Sequence, residues 1–268
     1  MTSKRTNEQA LTLEVGDIAF NALMRGEHPE TVFLHGFGSN LHTWDLLWPY
    51  LDSSRASLRY DLRGYGQTPE PGTELFSHSA DFIAVLDHLE VERCSLVGLS
   101  MGGSVALNVA LDYPERIDKL VLISPGLMAW DWSETWRAQW KEIVVEARAG
   151  RMDEARHLWW QHPLFESTRD SAAATALYNS IKKFEGRQWV RDYSRQAIPE
   201  TERLHQLQVP TLMLTGQRDL EEFRLMASVI EASVEHLTRI DLPDVGHLLH
   251  MEEPATCARH IDAFLGGP

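Results

Sequence analysis

The chain has 268 residues, 43% hydrophobic and 24% charged, enough for one large α/β domain with its own core. Its formal net charge of -14 argues against nucleic-acid phosphates and anionic membrane surfaces as partners, since both would be repelled. Two cysteines, Cys94 and Cys257, build no disulfide framework, and no apolar run approaches the roughly 18 residues of a membrane span.

In chain order, Leu11 to Leu23 alternates as one or two antiparallel strands with Gly16-Asp17 at the turn. Thr31-Val32-Phe33-Leu34 is a short buried strand that runs into the glycine-rich His35-Gly36-Phe37-Gly38. Leu41 to Leu51 reads as a helix with Trp44, Leu47, Trp48 and Leu51 on one face. Ala56 to Tyr60 is another strand, ending in Asp61-Leu62-Arg63-Gly64-Tyr65-Gly66. Ser77 to Leu89 is amphipathic, with Phe82, Val85, Leu86 and Leu89 spaced for burial. The strand Cys94 to Val97, a helix from Ser104 to Tyr113 and the strand Lys119 to Ile123 follow.

After Pro125 the rhythm changes. Residues 126–199 offer helical segments and no strand, and they hold seven of the nine tryptophans: Trp130, Trp132, Trp136, Trp140, Trp159, Trp160 and Trp189. The βα alternation resumes with the strand Thr211 to Thr215, a helix from Glu221, a strand near Leu237 to Leu242, and a closing helix from about His247. Such spacing predicts an α/β fold, a mostly parallel, doubly wound sheet with helices on both faces. The core is assigned to 1–125 and 200–268, with 126–199 inserted between two strands.

Val97-Gly98-Leu99-Ser100-Met101-Gly102-Gly103 places a serine between glycines where a strand turns sharply into a helix. The hydroxyl then sits at a helix N-terminus, where unpaired N–H groups and the dipole favour developing negative charge. A serine nucleophile needs a general base held in one tautomer by a carboxylate. Asp219, in Gly216-Gln217-Arg218-Asp219, follows a strand at its C-terminal end, where ligand groups collect in open α/β sheets. His247, in Val245-Gly246-His247, follows the last strand. The competing readings are a solvated helix N-cap for Asp219 and a packing role for His247. Asp131 and Asp244 are rival acids, and His250, one turn on, faces nearly the same way as His247. His35 reads as a brace for its loop, and Arg63 as the partner of a carboxylate.

These pieces, in this order and each at a strand end, resemble the α/β-hydrolase family over almost the whole chain. The resemblance implies the α/β-hydrolase fold with residues 126–199 as a helical cap (lid). It implies Ser100 as nucleophile, His247 as base and then acid, Asp219 as orienting acid, and an oxyanion hole from the backbone N–H groups of Phe37 and Met101. The last accords with Met101 lying among the orphan donors of a helix start. Serine rather than aspartate at the elbow sets aside dehalogenase and epoxide-hydrolase chemistry. No zinc-type or dinucleotide motif is complete, so neither a metal nor a cofactor is expected.

The activity so implied is that of a cytoplasmic serine carboxylesterase, monomer or homodimer, acting on a small-molecule hydrophobic ester through an acyl-enzyme. The tryptophans supply rigid apolar walls, two or three of them lining the pocket. Trp132, Trp160 and Phe165 are the expected substrate-binding residues. Trp160-Gln161-His162-Pro163-Leu164-Phe165 is also similar to a cap segment of the menaquinone-pathway lyase, which uses the same triad with arginines on substrate carboxylates. Arg137, Arg148, Arg151, Arg156, Arg187, Arg191 and Arg195 are the residues available for that role, with solvated helix surfaces as the competing reading for most of them. The elbow also resembles that of C–C bond hydrolases. A non-catalytic receptor on the same fold is the remaining alternative, and the complete triad argues against it.

Overall fold

The computed structural model describes residues 8–70, 72–195 and 198–267. Eight strands form one sheet: β1 (Glu8–Val15), β2 (Ile18–Arg25), β3 (Thr31–Leu34), β4 (Ser57–Tyr60), β5 (Cys94–Leu99), β6 (Ile117–Ile123), β7 (Thr211–Gly216) and β8 (Leu237–Leu242). They lie in the order β1-β2-β4-β3-β5-β6-β7-β8. β1 and β2 form the expected hairpin about Gly16-Asp17, with Val15 opposite Ile18, and β2 pairs antiparallel with β4. All remaining pairings are parallel. The burial follows the topology. Every residue of β3, β4, β5 and β7 is buried, as strands covered on both faces require, whereas the edge strands β1 and β8 each have one buried residue.

The helices begin with α1 (His78–His88), capped by the Ser77 hydroxyl, and α2 (Met101–Asp112). Between β6 and β7 come α3 (Glu134–Arg148), α4 (Met152–Gln161), α5 (Glu166–Arg169), α6 (Ala174–Lys183) and α7 (Arg187–Val190). After β7 come α8 (Glu221–Ser233), α9 (Leu249–Glu252) and α10 (Pro254–Gly266).

Three expected helices have different bounds. Leu41 to Leu51 is two 3-10 turns, Leu41–Trp44 and Trp48–Tyr50. Pro49 cannot donate an intrahelical bond, which stops one helix from running through it, while the Asp61 carboxylate caps the start by accepting Leu41 N–H at 2.7 Å. Trp44, Leu47, Trp48 and Leu51 are nevertheless all buried, as their spacing implied. The helix after the elbow starts at Met101 rather than Ser104. The closing helix is split in two before Pro254, with α9 starting two residues after His247.

The crossing of β5 into α2 is tightly packed. A Cβ on Gly98 would lie 2.4 Å from the Gly102 carbonyl oxygen, and one on Gly102 would lie 2.4 Å from that of Leu34. Both collisions are with backbone, which cannot swing aside as a side chain can. Gly102→Ala is therefore expected to cost about 3 kcal/mol, the upper end for overpacking. Urea unfolding of the variant checks this, and a midpoint within error of the wild type would contradict it.

Candidate active site

Ser100 holds φ 51° and ψ -114°, a conformation that side-chain-bearing residues rarely adopt. Its neighbours hold it there. Ser100 N–H donates to Ile123 O at 2.9 Å, and its carbonyl accepts from Ser104 N–H at 3.1 Å and Gly126 N–H at 3.0 Å. The strand end, the helix start and the loop after β6 thus fix one residue from three sides.

The Ser100 hydroxyl donates to His247 Nε2 at 2.9 Å. His247 Nδ1–H donates in turn to the Asp219 carboxylate, 3.0 Å from Oδ2 and 3.1 Å from Oδ1. Because a carboxylate only accepts, this contact puts the ring proton on Nδ1 and leaves Nε2 free to accept. The side chains of both His247 and Asp219 are only 2% exposed, so the Asp219 carboxylate is no solvated cap, although Oδ1 also accepts Leu220 N–H at 2.7 Å. The loops that carry them meet closely. A Cβ on Gly216 would lie 2.3 Å from Gly246 O, and Arg218 N–H bonds Val245 O at 2.9 Å.

The rival acids lie elsewhere. Asp131 is exposed and pairs with Arg137, and Asp244 sits in a turn at φ 60°. His250 does not face the way His247 does. It is buried against Trp44, with ring centroids 5.0 Å apart, and Nε2 bonds Thr43 Oγ1 at 3.0 Å. His35 braces its loop as expected: Nδ1–H donates to Gly36 O at 2.8 Å, and Nε2 accepts Leu62 N–H at 3.0 Å. Arg63 grips Asp81 through two bonds of 2.9 and 2.5 Å. Among the described residues no cluster of three metal-ligating side chains occurs.

Ser100 and His247 open into a cavity of about 1330 Å³. Phe37 and Met101 line it beside Ser100. The loop bearing Phe37 comes close because Gly36 has no side chain; a Cβ there would lie 3.3 Å from Ser100 Cβ. Met101 is the first residue of α2, where N–H groups have no helical acceptor. Trp132 and Phe165 also line the cavity, but Trp160 does not. Its ring lies against Tyr178, at 5.3 Å, and under the Arg169 guanidinium at 5.9 Å. The adjacent Trp159 takes the cavity position, because neighbouring residues of a helix point about 100° apart.

Five tryptophans line the space rather than two or three: Trp132, Trp136, Trp140, Trp159 and Trp189. Phe37 meets Trp140 at 5.2 Å and Trp159 at 6.0 Å, both edge to face. Trp159 lies four residues after the buried Ala155, on the same face of α4.

A model of the alpha/beta hydrolase fold matches residues 32–254, and the chain belongs to that family. It is 22% identical over 263 residues to 3-oxoadipate enol-lactonase 2 of Acinetobacter baylyi, covering 95% of this chain and 96% of that protein. A Bacillus subtilis protein with the provisional name 2-succinyl-6-hydroxy-2,4-cyclohexadiene-1-carboxylate synthase is 27% identical over 255 residues, covering 87% and 89%. Among solved structures, carboxylesterase CesB of Bacillus subtilis superposes with a TM-score of 0.79 at 21% identity, over 97% of this chain and 93% of that one.

Two buried histidines near the site make a pH prediction. Burial pushes His250 and His78 down to about 3 from an ordinary value of 6.5. Between those values the unfolded chain binds protons that the folded chain refuses, so stability falls as pH drops from about 6.5 toward 3. His250→Gln keeps a donor for Thr43 and does not titrate. The variant is expected to lose less stability than the wild type between pH 7 and pH 5 in urea unfolding. Equal losses would contradict it.

Proposed function

We propose that the protein is a serine carboxylesterase that cleaves an ester through an acyl-enzyme. The observation that carries this reading is the unbroken chain from Ser100 Oγ through His247 to Asp219, facing an aromatic cavity. Ser100 attacks the ester carbonyl while His247 Nε2 takes its proton, and Asp219 stabilises the imidazolium. The oxyanion is received by the N–H groups of Phe37 and Met101, each such donor being worth on the order of 10²–10³ in rate. His247 returns the proton to the leaving alcohol and then activates water against the acyl-enzyme.

In this reading residues 126–199 are a cap whose aromatic rings face the acyl or alcohol group. Trp132, Phe165 and Trp159 bind it, and Trp160 only packs. The buried, unpaired thiols Cys94 and Cys257, both pushed up to about 12 by burial, suit a reducing, cytoplasmic setting.

A second reading has its own observation. Arg137, Lys141, Arg148, Lys183 and Arg191 line the cavity of a chain whose net charge is -14. That setting also suits the lyase reaction named for the Bacillus subtilis relative, with the same triad removing a proton.

Ser100→Ala is expected to lower hydrolysis of p-nitrophenyl esters by a factor on the order of 10⁴–10⁶. Undiminished hydrolysis would remove Ser100 from the mechanism. A wild type that spares every ester but releases pyruvate from the lyase's precursor would favour the second reading. Trp159→Ala is expected to raise KM for a bulky aryl ester at least about tenfold, while Trp160→Ala changes it less than about twofold. The reverse pattern in steady-state kinetics would contradict the assigned cavity wall.

A further inference from the structure

Besides Asp219, a second carboxylate reaches the loop that carries His247. Glu252, the last residue of α9, folds back across that loop, and its Oε2 accepts Gly246 N–H at 2.9 Å. Oε2 also accepts the Ser167 hydroxyl at 2.6 Å, and Oε1 accepts the Thr168 hydroxyl at 2.6 Å. Ser167 and Thr168 belong to α5 and are both buried. The approach depends on Gly246, since a Cβ there would lie 2.6 Å from Ser167 Cβ.

One anionic group thus gathers three donors from two distant parts of the chain. On one side is the residue next to His247. On the other is the segment that starts with Phe165, which lines the cavity and packs edge to face on Trp159 at 4.9 Å. The far side of the His247 loop is tied to the Asp219 loop by the Arg218–Val245 bond. His247 therefore lies between two carboxylates, Asp219 on its ring and Glu252 on the backbone of the preceding Gly246.

We propose that Glu252 is a positioning residue that keeps the His247 loop and the cavity-wall segment 165–168 in one register, so that filling the aromatic cavity helps to set the base against Ser100. The inference rests on the serine-hydrolase reading above. Glu252 acts through His247 and touches no reacting atom. Without it, one backbone N–H and two hydroxyls lose their acceptor, and a loss of the base's placement by about 1 Å is enough to cost up to about 10²-fold in rate.

The test compares E252A, E252Q and the double variant S167A/T168V, with active sites counted by the endpoint of fluorophosphonate labelling. E252A is expected to lower kcat per active site about 10- to 100-fold on p-nitrophenyl esters while KM changes less than about threefold, and to slow the labelling rate in parallel. E252Q is expected to recover to within about fivefold, because its amide oxygen accepts Gly246 N–H and Ser167 while its NH₂ donates to the Thr168 hydroxyl. S167A/T168V keeps the Gly246 bond, and its kcat is expected to fall more on bulky aryl esters than on acetate.

A folded E252A with wild-type kcat and labelling rate, changed only in melting temperature, would overturn the proposal. If E252A does not fold, S167A/T168V with unchanged kcat on both ester sizes overturns it. A wild type that fluorophosphonate never labels would overturn the underlying reading, and this inference with it.

Discussion

The backbone at Ser100 is the constraint on which the rest depends. At φ 51° the residue turns the chain out of the centre of the sheet and directly into α2, which aims its hydroxyl into the cavity. Such a conformation costs on the order of 1–3 kcal/mol and persists only where its surroundings over-determine it. Here they do, through the bonds to Ile123, Ser104 and Gly126 and through two glycines that admit backbone within van der Waals distance. The same turn leaves the first N–H groups of α2 unpaired beside the hydroxyl, so in the proposed mechanism one distortion serves both the nucleophile and the donors for the charge it would create.

Parallel strand order then determines where the partners arrive. β6 and β7 lie successively beyond β5, and β8 beyond β7, so the loops after β7 and β8 open at the same end of the sheet as the elbow. Asp219 comes from the first loop and His247 from the second. Their burial matters as much as their distance, because a hydrogen bond shielded from water is electrostatically stronger than one that solvent can screen. The helices between β6 and β7 complete that shielding with aromatic rings, and Phe223 adds one more, 4.2 Å from the His247 ring.

Most of this arrangement is legible in the amino-acid order because its determinants are local. Gly98 and Gly102 flank Ser100, Gly216 precedes Asp219, and Gly246 precedes His247; the first three mark places where two backbones touch, and Gly246 makes room for the Ser167 side chain. Legibility ends where packing or distant contacts decide. Leu41 to Leu51 has a helical burial pattern, but Pro49 breaks it into turns. Trp160 and Trp159 are equivalent by composition, and only the rotation of α4 sends one to the cavity and the other to Tyr178. Glu252 meets Ser167 across 85 residues, and the buried Glu200 meets Ser104 across 96, with no local pattern to announce either contact.

The central claim is a covalent one: acyl transfer to Ser100. Its most direct measurement is mass spectrometry of enzyme quenched in acid during turnover of a p-nitrophenyl ester. The account predicts an added acyl mass on the peptide that contains Ser100, formed in one equivalent with the first burst of p-nitrophenol. Steady hydrolysis with no adduct, or with the adduct on another residue, would contradict it.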